Sequence, residues 1–303
     1  MTEPLASLSP DEALLKASTL WPGWFSDQQI AYEHAQQLAN VLGASVNAGQ
    51  LAQGWLDANA PPPQKQPRRK KRKHAVAVPG AHAVVIPQQQ TQPAQRKRRG
   101  RPPSPRGYLT QAGVPSAILA ALGTVLASLW AAAWALGWGS AVALLGTGSI
   151  AEDAEALAAL LAEGDKRIGW MLETRLSRLE RVLLAALAGK LSADELADQI
   201  TAILSSLTSA LLVTMTETSW GSGQGAYAVY VAAGITYCRW QTRNDGRVCG
   251  TCLANQAASP IPLGQKFPSG DKAPLAHPRC RCALLPAAAP KGQAGEAAPP
   301  PAR

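Results

Sequence analysis

Residues 168–187 read IGWMLETRLSRLERVLLAAL, and the spacing of their apolar side chains decides the predicted fold. Successive apolar residues are four, four, three, four and four positions apart: Ile168, Leu172, Leu176, Leu179, Leu183 and Leu187. This spacing places them on one face of an α-helix. The charged residues between them are Arg175, Arg178, Glu180 and Arg181. The stretch therefore predicts an amphipathic helix in a bundle.

A second amphipathic helix is predicted immediately after this one. Ser192 and Glu195 form the S-x-x-E pattern of a helix capping box. A second apolar stripe follows, formed by Leu196, Ile200, Ile203, Leu207 and Leu211. Because residues 189–191 leave only a short connection, the two helices are expected to pack antiparallel. The predicted fold class is therefore mainly α, with a helical core over residues 108–236.

A further helical segment is predicted at residues 1–60. The helical pattern covers residues 11–58 and is interrupted at Trp21–Trp24. Ser26 and Gln29 match a capping box just ahead of Ile30, which predicts a helix start at Ser26.

An uncharged stretch extends from Gly107 to Ala151. Its apolar residues lie in an Ala-rich, helix-like background: Ile118, Leu119, Leu122, Val125, Leu126, Leu129, Trp130, Trp134, Leu136 and Trp138. Two interpretations fit this pattern. A basic cluster precedes the stretch, as for a membrane span at residues 114–147, which would make the chain a membrane-attached interaction protein. The frequent Ala, Gly and Ser instead favour close packing in a soluble bundle, which is the predicted arrangement.

The net charge of +9 is concentrated in one segment. Residues 64–106 hold 13 of the 29 Lys and Arg and no acidic residue, so the rest of the chain carries 16 basic and 20 acidic residues. Two clusters dominate it: Arg68, Arg69, Lys70, Lys71, Arg72 and Lys73, then Arg96, Lys97, Arg98, Arg99 and Arg101. With so little apolar surface, residues 61–107 are predicted to form a disordered linker.

This basic arm suits a polyanionic partner. Two dense clusters can neutralise many phosphates of double-stranded DNA without reading its sequence. The alternatives are a solvated spacer between two domains and an arm attracted to an acidic membrane surface.

The five cysteines all lie in the last 66 residues, and four of them form pairs. Cys249 and Cys252 make a Cys-x-x-Cys pair, and His277 leads a second group with Cys280 and Cys282. Such spacing is typical of a structural zinc site. The fourth ligand, beside Cys249, Cys252 and Cys280, is either His277 or Cys282. Disulfides or reduced thiols are the alternative, and Cys238 is predicted to be a packed apolar residue.

The cysteines belong to a longer ordered string of residues. It consists of Trp240, Thr242, Asp245, Arg247, Cys249 and Cys252, then Phe267, Pro268 and Gly270, and finally His277, Pro278, Cys280, Arg281, Cys282, Leu285 and Pro286. Upstream residues extend it: Thr216, Glu217, Thr218, Ala226, Tyr230 and Gly234. The string resembles the C-terminal signature of the phage Mu F-like head morphogenesis proteins, which are minor capsid proteins of tailed bacteriophages. Leu275 and Ala276 depart from that signature, which usually has proline before the histidine.

The resemblance covers about residues 195–286 and implies a non-enzymatic virion protein. Its expected place is inside the head near the portal, after assembly in the host cytoplasm. Its expected partners are portal, capsid or scaffold proteins and double-stranded DNA, with no small-molecule substrate and no membrane. The small α+β module is predicted at residues 237–286, zinc-knuckle-like, and followed by a disordered Ala- and Pro-rich tail at 287–303. Glu217 is expected to form a buried hydrogen bond that orders this module.

An enzyme remains a rival interpretation, either a zinc-dependent nuclease or a head-processing protease. Its candidate groups are the cysteines, His277 and Asp245. His277 lies among ligand-type neighbours, however, and four cysteines already have a structural explanation. No catalytic residue is therefore predicted, and Asp245 and Arg247 are expected to form an ion pair or turn that rigidifies the first cysteine pair.

Overall fold

The computed structural model describes residues 23–60, 103–146, 148–243 and 246–290. This part of the chain is mainly helical, as predicted, and ends in a small sheet. The helices are α1 (Gly23–Ser45), α2 (Ala48–Asn59), α3 (Pro105–Gln111), α4 (Val114–Leu145), α5 (Ala154–Leu187), α6 (Ala193–Leu204), α7 (Leu207–Ala232) and α8 (Gly250–Ala257). The strands are β1 (Tyr237–Gln241), β2 (Ile261–Pro262) and β3 (Ala283–Ala287).

Helix α4 is the centre of the bundle and packs against α1, α5 and α7. On its covered side Ile118, Leu122 and Leu126 have no exposed surface, and its exposed face carries small residues such as Ala120, Ala127 and Gly139 instead of charged ones. Of the residues predicted to be apolar core, Leu119 is 41% exposed. By length and composition alone, α4 and the segment Ala193–Ala232 could each cross a membrane, a property that the core helices of soluble proteins share.

Helices α4 and α7 approach each other through glycines. A β-carbon on Gly137 of α4 would lie 2.0 Å from the carbonyl oxygen of Ser222. On α7, a β-carbon on Gly225 would lie 2.4 Å from the carbonyl oxygen of Trp134, and one on Gly221 would lie 2.9 Å from the Ala133 side chain. The two backbones are therefore in direct contact, and this contact depends on the missing side chains.

A buried polar cluster joins three helices at the same level. Glu217 of α7 is 2% exposed. The Nε and Nη2 atoms of Arg167, on α5, donate to its two carboxylate oxygens at 2.7 Å each. The indole of Trp130, on α4, donates to the same carboxylate at 3.1 Å, and Arg167 lies 4.5 Å above the ring of Trp220. The cluster satisfies a buried charge and fixes how α4, α5 and α7 sit together.

The antiparallel pair of α5 and α6 is as predicted, and so is the capping box of Ser192 and Glu195. The predicted core residues Leu176, Leu179 and Leu183 are buried, and Leu187 is an exception at 44% exposed. The second stripe does not form one helix, since α6 ends at Leu204 and Ser206 caps α7. Leu207 therefore lies at a helix start and is 39% exposed rather than in the core.

Two predicted boundaries are wrong. Helix α1 begins at Gly23, three residues before the predicted cap at Ser26. The predicted linker ended at residue 107, but α3 begins at Pro105. Ser104 caps this helix, since its hydroxyl oxygen accepts a hydrogen bond from the Gly107 backbone N–H. Arg106, counted in the basic arm, forms ion pairs with Glu173 and Glu180 of α5. The two basic clusters and the tail from residue 291 lie outside the described residues.

The C-terminal residues form the predicted α+β module. Its sheet is antiparallel in the order β2-β1-β3. Tyr237 pairs with Ala287 and Gln241 pairs with Ala283, so β3 runs one residue past the predicted end of the module at 286. Helix α8 packs against β1. The sheet anchors the two chain segments that carry the cysteines.

Candidate metal centre

The first cysteine pair lies at the start of α8. Cys249 is the residue that caps the helix, and its sulfur accepts the backbone N–H of Cys252 at 3.4 Å. Cys252 is in the first turn and is buried. A sulfur at this position receives the positive end of the helix dipole and a backbone N–H, both of which favour the thiolate form.

The second group lies in the loop that leads into β3. The Cys280 amide donates to the His277 carbonyl at 3.1 Å, which closes a turn between the two side chains. Cys280 is buried, and Cys282 comes directly before Ala283, the first residue of β3. The turn brings His277 and Cys280 to the same side of the loop, facing the start of α8.

The structure brings all five predicted ligands together. The Nε2 atom of His277 lies 3.1 Å from the Cys249 sulfur and 3.2 Å from the Cys252 sulfur. The sulfurs of Cys252 and Cys280 are 3.8 Å apart. The ligand atoms fall into two sets of three, each within 4.8 Å and sharing Cys252: Cys249, Cys252 and His277, then Cys252, Cys280 and Cys282. The cluster could hold a metal ion.

The distances fit a tetrahedral ion. Metal–sulfur bonds of 2.3 Å at tetrahedral angles place two sulfurs about 3.8 Å apart, and a sulfur and a nitrogen about 3.5 Å apart. The pair of Cys252 and Cys280 already has this separation. The two contacts of His277 are a few tenths of an ångström shorter, at 3.1 and 3.2 Å. Soft thiolates with an imidazole are the donor set that zinc prefers in structural sites.

Ionisation within the cluster begins at Cys280. A hydrogen bond from the Cys282 thiol lowers the pKa of Cys280 to about 5, against the opposing effect of burial. The same bond raises the pKa of Cys282, which stays protonated as the donor. Burial, followed by the charge of Cys280, raises the pKa of Cys252 to about 12. The Cys280 thiolate therefore disfavours ionisation of the neighbouring thiols until a bound cation offsets the negative charge.

Cys249 and His277 respond to the same charges. The backbone N–H of Cys252 lowers the pKa of Cys249. Burial alone would lower the pKa of His277, but its bond to the Pro278 carbonyl and the nearby thiolates raise the pKa overall. The site is thus electron-rich and short of positive charge.

The fifth cysteine lies outside the cluster. Cys238 is fully buried on β1, as predicted for a packed apolar residue, and burial raises the pKa of its thiol to about 12. All five cysteines are free thiols in the structure, and none of them forms a disulfide there.

One stripe of α7 holds the module against the bundle. The Thr216 hydroxyl accepts the backbone N–H of Arg279 at 3.2 Å. The Tyr230 hydroxyl donates to the Leu284 carbonyl at 3.1 Å. Between them, Gly223 allows the Pro274 carbonyl to approach, since a β-carbon there would lie 2.5 Å from that oxygen. The three α7 residues are seven positions apart, which places them on one face of the helix.

The sequence analysis predicted that Glu217 would order the module, but the residue of α7 that does so is its neighbour Thr216. Glu217 is buried and hydrogen-bonded, but its partners are Arg167 and Trp130 of the bundle. Its neighbour Thr216 makes the contact with the module. The seven-residue spacing of Thr216, Gly223 and Tyr230 was the signal in the sequence that could have identified the docking face.

Two other signature residues, Trp240 and Thr242, lie inside the module. Trp240 is fully buried and packs edge-on against Phe267, with ring centroids 5.1 Å apart. The backbone N–H of the buried Thr242 donates to the Gln256 side chain at 3.0 Å. Arg247 and Pro278 are exposed and Arg281 is half-buried, and all three adjoin the ligand-bearing segments. Asp245 lies outside the described residues, so its predicted pairing with Arg247 stays a prediction.

Asn255 is a supporting residue that the sequence did not single out. It has no exposed surface and lies on α8, one turn after Cys252. Its amide donates to the Ser269 hydroxyl at 2.9 Å and accepts the Ser269 backbone N–H at 3.0 Å. Asn255 thereby ties the long loop between β2 and β3 to the helix that carries the first cysteine pair.

Comparison with models of protein families, with curated proteins and with solved structures finds no match for this chain. The resemblance to the Mu F-like proteins therefore rests on the signature residues themselves.

Proposed function

We propose that this chain is a minor head protein of a tailed bacteriophage. It would be a low-copy capsid component that assists head morphogenesis near the portal. It would assemble in the host cytoplasm and remain in the virion. Its partners would be portal, capsid or scaffold proteins and packaged DNA.

The observation that supports this proposal is the folding of the signature string into one module. Residues as far apart in sequence as Trp240, Cys249 and His277 all lie in a single unit around the ligand cluster. A chance match of separate short motifs would not be expected to converge in this way. The module is also packed on the helical bundle through α7, which suits a rigid docking face more than a mobile active site.

We assign the ion to structural zinc. The described module has only one short helix and strands of two to five residues. A core of this size gives limited stability, and an ion joining the start of α8 to the loop before β3 would tie its two halves together. When bound, zinc supplies a rigid tetrahedral junction. The chain supplies the thiolates, the imidazole and the backbone hydrogen bonds that orient them.

The basic arm supplies affinity for DNA in this proposal. Its two clusters hold 11 Lys and Arg. Neutralising phosphates with that many charges gives binding that weakens steeply as salt rises. The arm does not need to read bases, which fits a component that contacts packaged DNA of any sequence.

The proposal is tested on particles. Heads of the phage or induced prophage that encodes this chain are separated from tails, and their proteins are identified by peptide mass spectrometry. The chain should be present at a few copies per DNA-filled head, and should co-purify with the portal after mild disruption. Its absence from filled heads would overturn the proposed role.

Metal and DNA binding are tested on the purified chain. Mass spectrometry of the native protein should give about one zinc per chain, whereas disulfides would give none. For DNA, deletion of residues 64–101 should remove most of the affinity and its salt dependence. This deletion retains Ser104 and Arg106, which cap α3 and pair with α5. Unchanged DNA affinity would refute the role of the arm.

A further inference from the structure

We propose that His277 is the fourth ligand of this metal centre and that Cys282 stays outside the coordination sphere. The ligand set is then Cys249, Cys252, His277 and Cys280. This inference rests on the proposed metal centre, because it assigns the ligands of that site.

The tautomer of His277 is the first argument. Its Nδ1 atom lies 2.8 Å from the Pro278 carbonyl oxygen, which can only accept. Nδ1 therefore carries a proton, and in the neutral imidazole that binds a metal the lone pair is on Nε2. Metal-bound histidines use this same arrangement, with the second nitrogen donating to a carbonyl or carboxylate. The imidazole is thus held in the form and orientation of a ligand.

The position of that lone pair is the second argument. Nε2 lies 3.1 and 3.2 Å from the two sulfurs of the Cys-x-x-Cys pair. An ion bound by Cys249 and Cys252 would therefore have the imidazole nitrogen beside it. If Cys282 were the fourth ligand, His277 would occupy space next to the ion without binding it.

The turn that carries His277 is held from outside the module. Arg279 lies between the ligands His277 and Cys280 and has a positive φ of 62°. That conformation costs a residue other than glycine about 1 kcal/mol. The N–H of Arg279 is fixed by the Thr216 hydroxyl of α7 at 3.2 Å. Thr216 is therefore a positioning residue, which holds the turn so that both side chains face α8.

Cys282 is placed differently. It directly precedes β3, whose first residue, Ala283, is paired with Gln241 of β1. Its sulfur lies within 4.8 Å of those of Cys252 and Cys280, and Cys280 and Cys282 both lie in the set that lacks Cys249 and His277. Cys280, by contrast, already lies at the sulfur–sulfur separation that a tetrahedral ion requires, 3.8 Å from Cys252. The two contacts of the His277 Nε2 atom and the 3.8 Å separation of Cys252 and Cys280 therefore supply four ligands without Cys282.

The test is cobalt substitution of the full chain. Zinc is removed, Co²⁺ is added, and the sulfur-to-cobalt charge-transfer band is measured, because its intensity increases with each bound thiolate. The wild-type band should correspond to three thiolates and one nitrogen. A band for four thiolates would overturn the assignment, and it needs no variant that might fail to fold.

Variants give the second measurement. Cys282→Ser should bind Co²⁺ with unchanged stoichiometry and an unchanged band. His277→Ala should weaken Co²⁺ binding by about tenfold or more, and Cys238→Ala, in the same module but outside the cluster, is the matched control. Loss of the metal in Cys282→Ser with full binding in His277→Ala would overturn the assignment alone. A wild-type chain that binds neither zinc nor Co²⁺ would instead overturn the metal centre itself, and the assignment with it.

Discussion

Replacing Gly137 by alanine adds one methyl group where α4 and α7 touch backbone to backbone. The new β-carbon would lie 2.0 Å from the Ser222 carbonyl oxygen and 2.7 Å from that residue's carbonyl carbon and Cα. Non-bonded carbon contacts are normally about 3.5 Å or more, so the helices would have to separate by more than about 1 Å. No flexible side chain at this contact can move away instead, because the atoms belong to the opposing backbone.

The expected cost follows from two opposing effects. Overpacking that forces a backbone shift costs about 1–3 kcal/mol, and this site is at the upper end. The better helix propensity of alanine returns at most about 1 kcal/mol. Gly137→Ala should therefore lower the free energy of unfolding by about 2 kcal/mol.

The matched control is Gly139→Ala, two residues along the same helix. A β-carbon there would meet no atom within 4 Å, and the residue is exposed. This variant should be stabilised by about 0.5–1 kcal/mol, so the two substitutions should differ by about 3 kcal/mol. The assay is urea unfolding of the full chain at fixed zinc concentration, followed by far-ultraviolet circular dichroism. Equal stability of the two variants would refute the close contact between α4 and α7.

Three further predictions concern buried polar groups and use the same urea assay. Glu217→Ala should lower the free energy of unfolding by about 3 kcal/mol, because it leaves Arg167 without its buried partner. The control Glu163→Ala breaks only an exposed pair and should change stability by less than about 1 kcal/mol. Equal costs would contradict the buried cluster. Arg175 is 5% exposed; its Nη1 donates a long hydrogen bond to the Met171 carbonyl at 3.4 Å, and its Nε has no partner among the described residues. Burial, followed by the charge of Arg178, lowers its pKa to about 10, so it is charged in both states below that pH and only the folded state bears the cost of desolvation. Arg175→Met should therefore stabilise the chain at pH 7 by about 1–3 kcal/mol, and a loss of stability would refute a net cost of burying this charge. Thr216→Val removes the acceptor of a backbone N–H and should cost about 1–2 kcal/mol, while Thr216→Ser should retain most of the stability; equal losses would argue against the hydroxyl contact.

Local signals in the sequence predicted the helices and the ligand cluster well. The capping box at Ser192 is satisfied by atoms three residues away, and the cysteine spacing requires only a turn and a nearby loop. Ser104 followed by Pro105 is an equally local signal for a helix start. It was missed because the end of the linker was placed by charge composition, which extends the basic segment to Arg106.

The errors arose where a regular pattern crosses an interruption or where the partner is distant. The apolar spacing continues from Ile203 to Leu207 and Leu211, so periodicity could not show that Ser206 begins a new helix. Glu217 finds Arg167, 50 residues away, and Trp130, 87 residues away. Only the packing of three helices decides such contacts, and the pattern around Glu217 gave no information about them.

The face of α7 that contacts the module restricts where residues can be inserted into or deleted from this chain. Thr216, Gly223 and Tyr230 are spaced two turns apart along a rigid rod, so their contacts with the module span about 21 Å. A single inserted or deleted residue between them would rotate everything beyond it by about 100° and shift it by about 1.5 Å. The C-terminal module would then face a different side of the bundle. The number of residues between Thr216 and Tyr230 is therefore fixed, while substitutions on the exposed surface of α7 leave the orientation of the module unchanged.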